Sequence, residues 1–483
     1  MKTIKNYEAV IGLEVHAELD TKTKIFCSCP TGFGAEPNTH VCPVCLGLPG
    51  VLPVLNRKVV EYAVKAGIAT NCKIARHSIE DRKNYFYPDL PKAYQISQYD
   101  LPLCKGGFLR IETEEGEKTI GITRIHIEED AGKLIHDRDF GTMIDCNRCG
   151  VPLIEIVSEP DMRSAEEVRA YLEKLRATLM YTGVSTCRMN EGAFRCDVNL
   201  SIRKTGESVF GTRTEMKNLN SFQFVVKAIE YEYRRQVELV ETGKEVVQET
   251  RRFDPESGKT FPMRTKEDAN DYRYFPDPDL PPIDLSDEQI EKFASEIPEL
   301  PDSRKRRYMK KFGISSYTSE KLIGDPAVSD YFEEATKFTR FPKSAANLIE
   351  GEIMHLNESD HFSCRIRAEH LGKLADLEGE GAINSSTVKK LILRMWETDF
   401  DPLDAVEKEG LRQINDPETL SRIADEVVNG NEKLVSDFRN GKEHAIKALM
   451  GQGMGKTAGK ANPVLLEKYI REKLTGSTEE RNG

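Results

Sequence analysis

At about residue 285 the chain changes its periodicity, and this one change confines it to a two-part architecture. From Tyr7 to about 285, short runs alternate apolar and polar residues, separated by Gly- and Pro-rich loops. A period of two is the signature of strands. Two long amphipathic stretches interrupt them. From 286 onward one short helical pattern follows another, punctuated by Pro, Gly and Asn-Asp. The sequence therefore predicts an α+β region in front and an all-α region behind. A chain of 483 residues holds roughly two to four domains.

The two front helices carry their own signals. Ser164 with Glu167 three residues on predicts a capping box, Val168, Leu172, Leu175 and Leu179 form an apolar stripe, and Gly183 supplies the stop. The second helix is predicted from Ser221 to about Glu241, with Gly243 beyond it. The proline-dense stretch from Asp271 to Pro282 halts regular structure and predicts the exit from the front domain. Gly410 to Asp416 predicts a hinge before a terminal bundle at about 411–475.

Hydrophobic residues at 39% suffice for real cores, and no apolar run is long enough to span a membrane. The N-terminus has neither the apolar leader of a signal peptide nor an Arg-rich transit pattern, so a cytoplasmic location is expected. With a net charge of −11 and a pI near 5.6, bulk charge does not mark a nucleic-acid binder. Any RNA contact must come from local basic surface.

Of eleven cysteines, four are grouped as Cys27-x-Cys29 and Cys42-x-x-Cys45. Two close pairs at this separation predict a structural zinc knuckle, because four thiolates close a tetrahedron. The loop between them (Gly32, Gly34, Pro37, Asn38) is free to fold back. Four Cys ligands leave no open position for catalysis. Cys146-x-x-Cys149 has no second pair near it in sequence and reads as two packed thiols.

Polar residues recur on strand faces. Leu13, Val15, Ala17 and Leu19 share one face of their strand, and Glu14, His16 and Glu18 the other. His126 and Glu128 oppose Ile125 and Ile127, just before Glu129 and Asp130. Asp197 and Asn199 share a face. Glu155 sits within the apolar run Pro152–Val157, where an ionised carboxylate is costly unless paired or metal-bound. Such carboxylates, with an Asn or a His, suit Mg²⁺. Any single row alone reads as a solvated strand face, and only Glu155 resists that reading.

Gly451 to Thr457 imitates a phosphate-binding loop, but Met450 stands where the motif needs Gly, and a helical pattern precedes it instead of a strand. The sequence predicts a mobile glycine loop between terminal helices, whose amides and Lys456 could touch RNA phosphates. Arg304–Lys311 packs six cations into eight residues, and from Lys433 to Lys473 nine Lys/Arg face four Asp/Glu. These segments serve equally well as RNA footprints or as solvated helix faces. No nucleophile for amide hydrolysis is apparent.

Eight strings carry a family resemblance: Ile11–His16 (IGLEVH), Pro49–Val54, Asp81–Asp89 (DRKNYFYPD), Lys92–Gln98, Ile127–Lys133 (IEEDAGK), Pro152–Pro160, Lys217–Phe222 and Asp271–Pro276 (DYRYFP). In this order the chain resembles the B-subunit family of the aspartyl/glutamyl-tRNA amidotransferases, over nearly its whole length. The resemblance implies an α+β cradle domain at 1–285 with the zinc knuckle at 27–45, a helical domain at 286–410, and a YqeY-like tRNA-binding helical tail at 411–483.

It also implies a carbon–nitrogen ligase that amidates Glu on tRNA(Gln) or Asp on tRNA(Asn) with ATP and Mg²⁺. The ammonia would come from a glutamine-hydrolysing amidase partner. A small third chain would complete a heterotrimer, with the non-discriminating aminoacyl-tRNA synthetase as a further partner. On these matching positions Glu14, His16, Glu129 and Glu155 are expected Mg²⁺ ligands or their immediate supports, with Glu128 next and Asp197, from its strand row, beside it. Glu129 is also a candidate guard of the ammonia exit. Lys83, Lys92, Lys133 and Lys217 are expected at ATP phosphates or substrate, and Lys442, Lys447, Lys456 and Lys460 at tRNA. The Zn²⁺ would be structural. The alternatives are a non-catalytic zinc-dependent RNA-binding protein, which leaves Glu155 unexplained, and a stand-alone metal-dependent hydrolase.

Overall fold

Nine strands of the front region form one mixed sheet in the computed structural model, which describes residues 4, 6–137, 141–265, 271–357 and 362–476. Numbered along the chain they are β1 (Tyr7–Glu18), β2 (Lys73–Ile74), β3 (Cys104–Thr113), β4 (Gly116–Glu129), β5 (Pro152–Ser158), β6 (Phe194–Lys204), β7 (Thr214–Lys217), β8 (Glu249–Asp254) and β9 (Lys259–Thr265). Their order is β9-β8-β7-β6-β1-β5-β4-β3-β2. Only β7 and β8 run parallel. The first strand in sequence thus lies in the middle, with β6 on one side and β5 on the other.

Hydrophobic burial decides which face is which. Leu13, Val15, Ile127, Ile154, Ile156 and Val198 point to one side and are completely or almost completely buried. Three helices cover that side: α1 (Arg57–Ala69), α2 (Ala165–Tyr181) and α3 (Phe222–Glu241). Val59 and Val64, Leu172 and Leu175, and Val225 and Ile229 complete the same core. Each such side chain is worth about 1.5–3 kcal/mol when buried. A slip of one residue in β1 would send Glu14 and His16 into this core, so the register is strongly fixed.

Helix ends follow the expected signals with one change. Ser164 Oγ accepts from the Glu167 amide, but the Glu167 carboxylate takes the Arg163 amide and Lys118 Nζ and does not close a box on Ser164. Gly183 and Gly243 both adopt positive φ where their helices stop.

Contacts divide the chain into two compact units, Met1–Arg304 and Lys305–Gly483. The second is built from helices around two cores. One gathers Tyr308, Phe332, Leu371, Leu391 and Met395. The other gathers Leu420, Val427, Leu449, Leu466 and Ile470. No described helix is long and apolar enough to cross a membrane.

Two sequence expectations fail here. Gly451 to Lys456 is not a loop but the end of the helix Ala445–Lys456. A Cβ on Gly453 would come within 2.8 Å of Leu466, so that glycine allows two helices to approach closely. Regular structure does not stop at the proline-dense stretch, since Phe275 and Pro276 pair with Arg82 and Asp81.

Candidate active site

The sheet register brings the polar rows together. Glu14 is the cross-strand partner of Asp197 on β6, and His16 that of Glu155 on β5. Glu155 in turn faces His126 on β4. Directly opposed residues in antiparallel strands project to the same side. Four strands therefore present their polar residues on the face away from the helices.

The side chains form two clusters. In the first, His16, Glu128 and Glu155 offer ligand atoms within 4.8 Å of one another. His16 Nε2 lies 3.3 Å from Glu155 Oε2, and His126 Nε2 lies 3.1 Å from Glu128 Oε1 and 3.6 Å from Glu155 Oε2. The carboxylate inside an apolar run is thus accommodated between two imidazoles. In the second, Glu14, Asp197 and Glu215 are equally close, and Asn199 Nδ2 donates to Glu14 Oε1 at 2.9 Å. Lys217 Nζ pairs with both Asp197 and Glu215.

A second, three-stranded sheet (Asp81–Asn84, Tyr94–Ser97 and Phe275–Pro276) brings further groups to Glu128. Ser97 Oγ donates to Glu128 Oε1 at 2.7 Å and Gln95 Nε2 to Oε2 at 3.3 Å. Lys83 Nζ lies 3.8 Å from Glu128 Oε1. Lys83 also lies over Tyr272, which packs edge-on against Tyr85 and Tyr274. Asn84 holds this arrangement, its amide donating to Tyr272 O and its side chain to Arg273 O, each at 2.9 Å.

The charges respond to each other. Burial raises the Glu14 carboxyl above its ordinary value, and repulsion from Glu155 raises it further. Burial pushes Glu128 up too, but Lys83 and the two histidines outweigh it and hold Glu128 well below the usual carboxylate range. Burial pulls Lys83 down, and the attraction of Glu128 more than restores it.

Glu129, one residue beyond Glu128, belongs to neither cluster. Its Oε1 takes Lys92 Nζ and the Ile96 amide, and it borders a small cavity of about 150 Å³ with Lys24, Cys27, Cys45 and Gly47. The four residues expected around one ion are therefore distributed. His16 and Glu155 are together, Glu14 sits in the neighbouring cluster, and Glu129 faces Lys92. Lys133 lines a larger cavity of about 590 Å³ with Glu18, Arg195, Asp197, Asn218 and Asn220. That volume suits a small-molecule ligand. Sequence reasoning placed His126 in a polar strand row without an individual role and overlooked Glu215. The alternation Glu215–Lys217 was the available signal for Glu215, but its strand is only four residues long.

The Sγ atoms of Cys27, Cys29, Cys42 and Cys45 all lie within 4.8 Å of one another. Zinc–sulfur bonds of about 2.3 Å in a tetrahedron require sulfurs at that kind of spacing, so this donor set fits Zn²⁺. The loop between the pairs is docked, with Asn38 bonded to Asp145, Ile144 and Cys146. Cys146 and Cys149 are both buried.

In the tail, Lys442 pairs with Asp437 and Lys456 with Glu426. Lys447 and Lys456 occupy opposite faces of one helix, half a turn out of phase. Lys460 follows that helix, beside Gly410. Of the basic run at 304–311, Lys305 pairs with Glu320 and Arg307 with Glu333.

A histidine–carboxylate cluster and an all-carboxylate cluster, the latter with Asp197 on a ligand-sized cavity, give the first unit the build of a catalytic domain. The family model of the GatB/GatE catalytic domain matches residues 9–291, and that of the GatB domain matches 330–474. The chain is 56% identical to the aspartyl/glutamyl-tRNA(Asn/Gln) amidotransferase B subunit of Caldicellulosiruptor saccharolyticus, over 97% of this chain and 99% of the relative. It is 51% identical to that of Carboxydothermus hydrogenoformans (98% and 99% covered) and 53% to that of Agathobacter rectalis (98% and 100%). The chain belongs to the B-subunit family of the aspartyl/glutamyl-tRNA amidotransferases.

Proposed function

We propose that this chain activates the side-chain carboxylate of Glu or Asp carried on tRNA and passes it to ammonia. A carboxylate does not condense with ammonia directly, because oxide is a poor leaving group. One carboxylate oxygen therefore attacks the terminal phosphorus of ATP, and the bond to the ADP oxygen breaks. Ammonia then attacks the acyl carbon, phosphate departs with its C–O electron pair, and a proton is lost, leaving Gln or Asn on the tRNA. The convergence of His16, Glu128 and Glu155 beside Glu14, Asp197 and Glu215 on one sheet face supports this reading.

Mg²⁺, when bound, would neutralise charge on the phosphate oxygens. The all-carboxylate set Glu14, Asp197 and Glu215 suits this hard cation, and the repulsion that raises Glu14 is what a cation would relieve. His16, Glu155 and Glu128 would hold a second ion or orient the first. Lys83, beside Glu128, and Lys217, beside Asp197 and Glu215, would neutralise phosphate or substrate charge, and the cavity lined by Lys133 would take the nucleotide. Lys92 and Glu129 stand at the smaller cavity, where ammonia would enter.

The reading extends to an amidase partner that supplies ammonia, a small third chain, tRNA contact by the tail, a structural Zn²⁺ and a cytoplasmic location. The expected division at 285 and 410 assigns activation to the first domain and tRNA contact to the last. Incubating the chain with its amidase partner, Glu-tRNA(Gln), ATP, Mg²⁺ and either glutamine or free ammonia should yield Gln-tRNA(Gln). Glu14→Ala should abolish the product and leave tRNA binding intact. Normal turnover by that variant would remove the proposed site.

A further inference from the structure

Lys24 is among the largest completely buried side chains of the molecule. An ammonium taken out of water is costly unless an opposite charge meets it. Among the described residues its Nζ has no carboxylate partner. It donates to His40 O at 2.7 Å, to Cys146 O at 3.4 Å and to Cys45 Sγ at 3.6 Å. The two carbonyls satisfy its donors but supply no countercharge. The sulfur is the one atom of these three that becomes an anion.

Cys45 belongs to the four-thiol cluster, and its Sγ also accepts from the Cys42 amide at 3.2 Å. Four thiolates around one Zn²⁺ leave two units of net negative charge. At the buried member of the four, Cys45, that excess needs hydrogen-bond donors or a cation. Lys24 reaches the cluster at Cys45, the one buried cysteine of the four, from the side of the Cys146 loop.

We infer that Lys24 is the countercharge of a zinc-tetrathiolate centre, a positioning residue whose Nζ joins the Cys45 sulfur to the Cys146 loop. This rests on the zinc reading above. Its immediate consequence is that zinc retention depends on a residue that does not touch the metal.

The test compares the full chain with Lys24→Met, which keeps volume and loses charge, and with Lys24→Arg, which keeps charge. Metal content and the rate of zinc release to a coloured chelator are measured for each, with circular dichroism on the same samples. Lys24→Met should bind zinc about 10–100-fold more weakly, and Lys24→Arg should retain it better. A Cys29→His background lowers the negative charge of the centre by one unit and should shrink the penalty of Lys24→Met. That cycle compares like with like where one variant is poorly folded. A zinc-loaded wild type with unchanged release from Lys24→Met overturns the countercharge, as does equal loss from Met and Arg. A wild type that carries no zinc overturns the zinc reading itself.

Discussion

The Glu155 carboxylate stands 3.3 Å from His16 Nε2, across a register in which the two residues are direct cross-strand partners. His126 approaches the same oxygen from the other neighbouring strand. The backbone register of three strands thereby sets this carboxylate between two imidazoles. Glu155→Gln keeps the shape and removes that charge. It should lower Gln-tRNA formation roughly 100-fold, as loss of a metal-site support commonly does. A filter-binding assay should show tRNA affinity unchanged.

Glu215 closes the second cluster with Glu14 and Asp197. Glu215→Ala should raise the Mg²⁺ concentration for half-maximal turnover by roughly 10–100-fold. Saturating Mg²⁺ should restore most of the rate, whereas excess chelator should stop the wild type. A Mg²⁺ titration of both proteins decides the matter, and superimposable curves would remove Glu215 from the site.

Glu232 tests the scaffold. It is fully buried on α3 and ties that helix to three strands, accepting from Arg235, Gln236, Thr214 and Thr260, with Arg251 at 3.3 Å. Removing one partner from a buried ion pair costs about 3–5 kcal/mol. Glu232→Gln should lower stability by about 3 kcal/mol in urea unfolding. Burial alone would raise this carboxyl, but Arg235, Gln236 and Arg251 outweigh it and hold it below its ordinary 4.5. The stabilisation is complete above that value and is lost as pH falls through the lowered folded value. The gap between wild type and variant should therefore narrow in acid.

Gly453 tests the tail. A Cβ there meets Leu466 at 2.8 Å. Gly453→Val should cost about 1–3 kcal/mol by overpacking, visible as earlier urea unfolding monitored at Tyr469. Gly451→Ala meets nothing nearby, so it should be neutral or mildly stabilising within the helix.

Strand periodicity alone placed Glu14 opposite Leu13 and His126 opposite Ile125, because alternation is a local property of the backbone. Four cysteines at knuckle spacing, and the helices signposted by Ser164 and Ser221, were legible for the same reason. Which strands became neighbours was not local. It followed from how β4, β5 and β6 assembled around β1, and that decided that His16 meets Glu155 while Glu129, one residue past Glu128, meets Lys92. Gly453 read as a loop because propensity counts backbone entropy, and the close contact with Leu466 exists only once two helices have packed. Lys24 gave no sequence signal, since nothing local shows that its ammonium will be buried beside the Cys45 sulfur. The sequence by itself determined the strand faces and which side-chain chemistries lie on them. The tertiary structure decided their partners, because charges interact through space and burial is set by the whole fold.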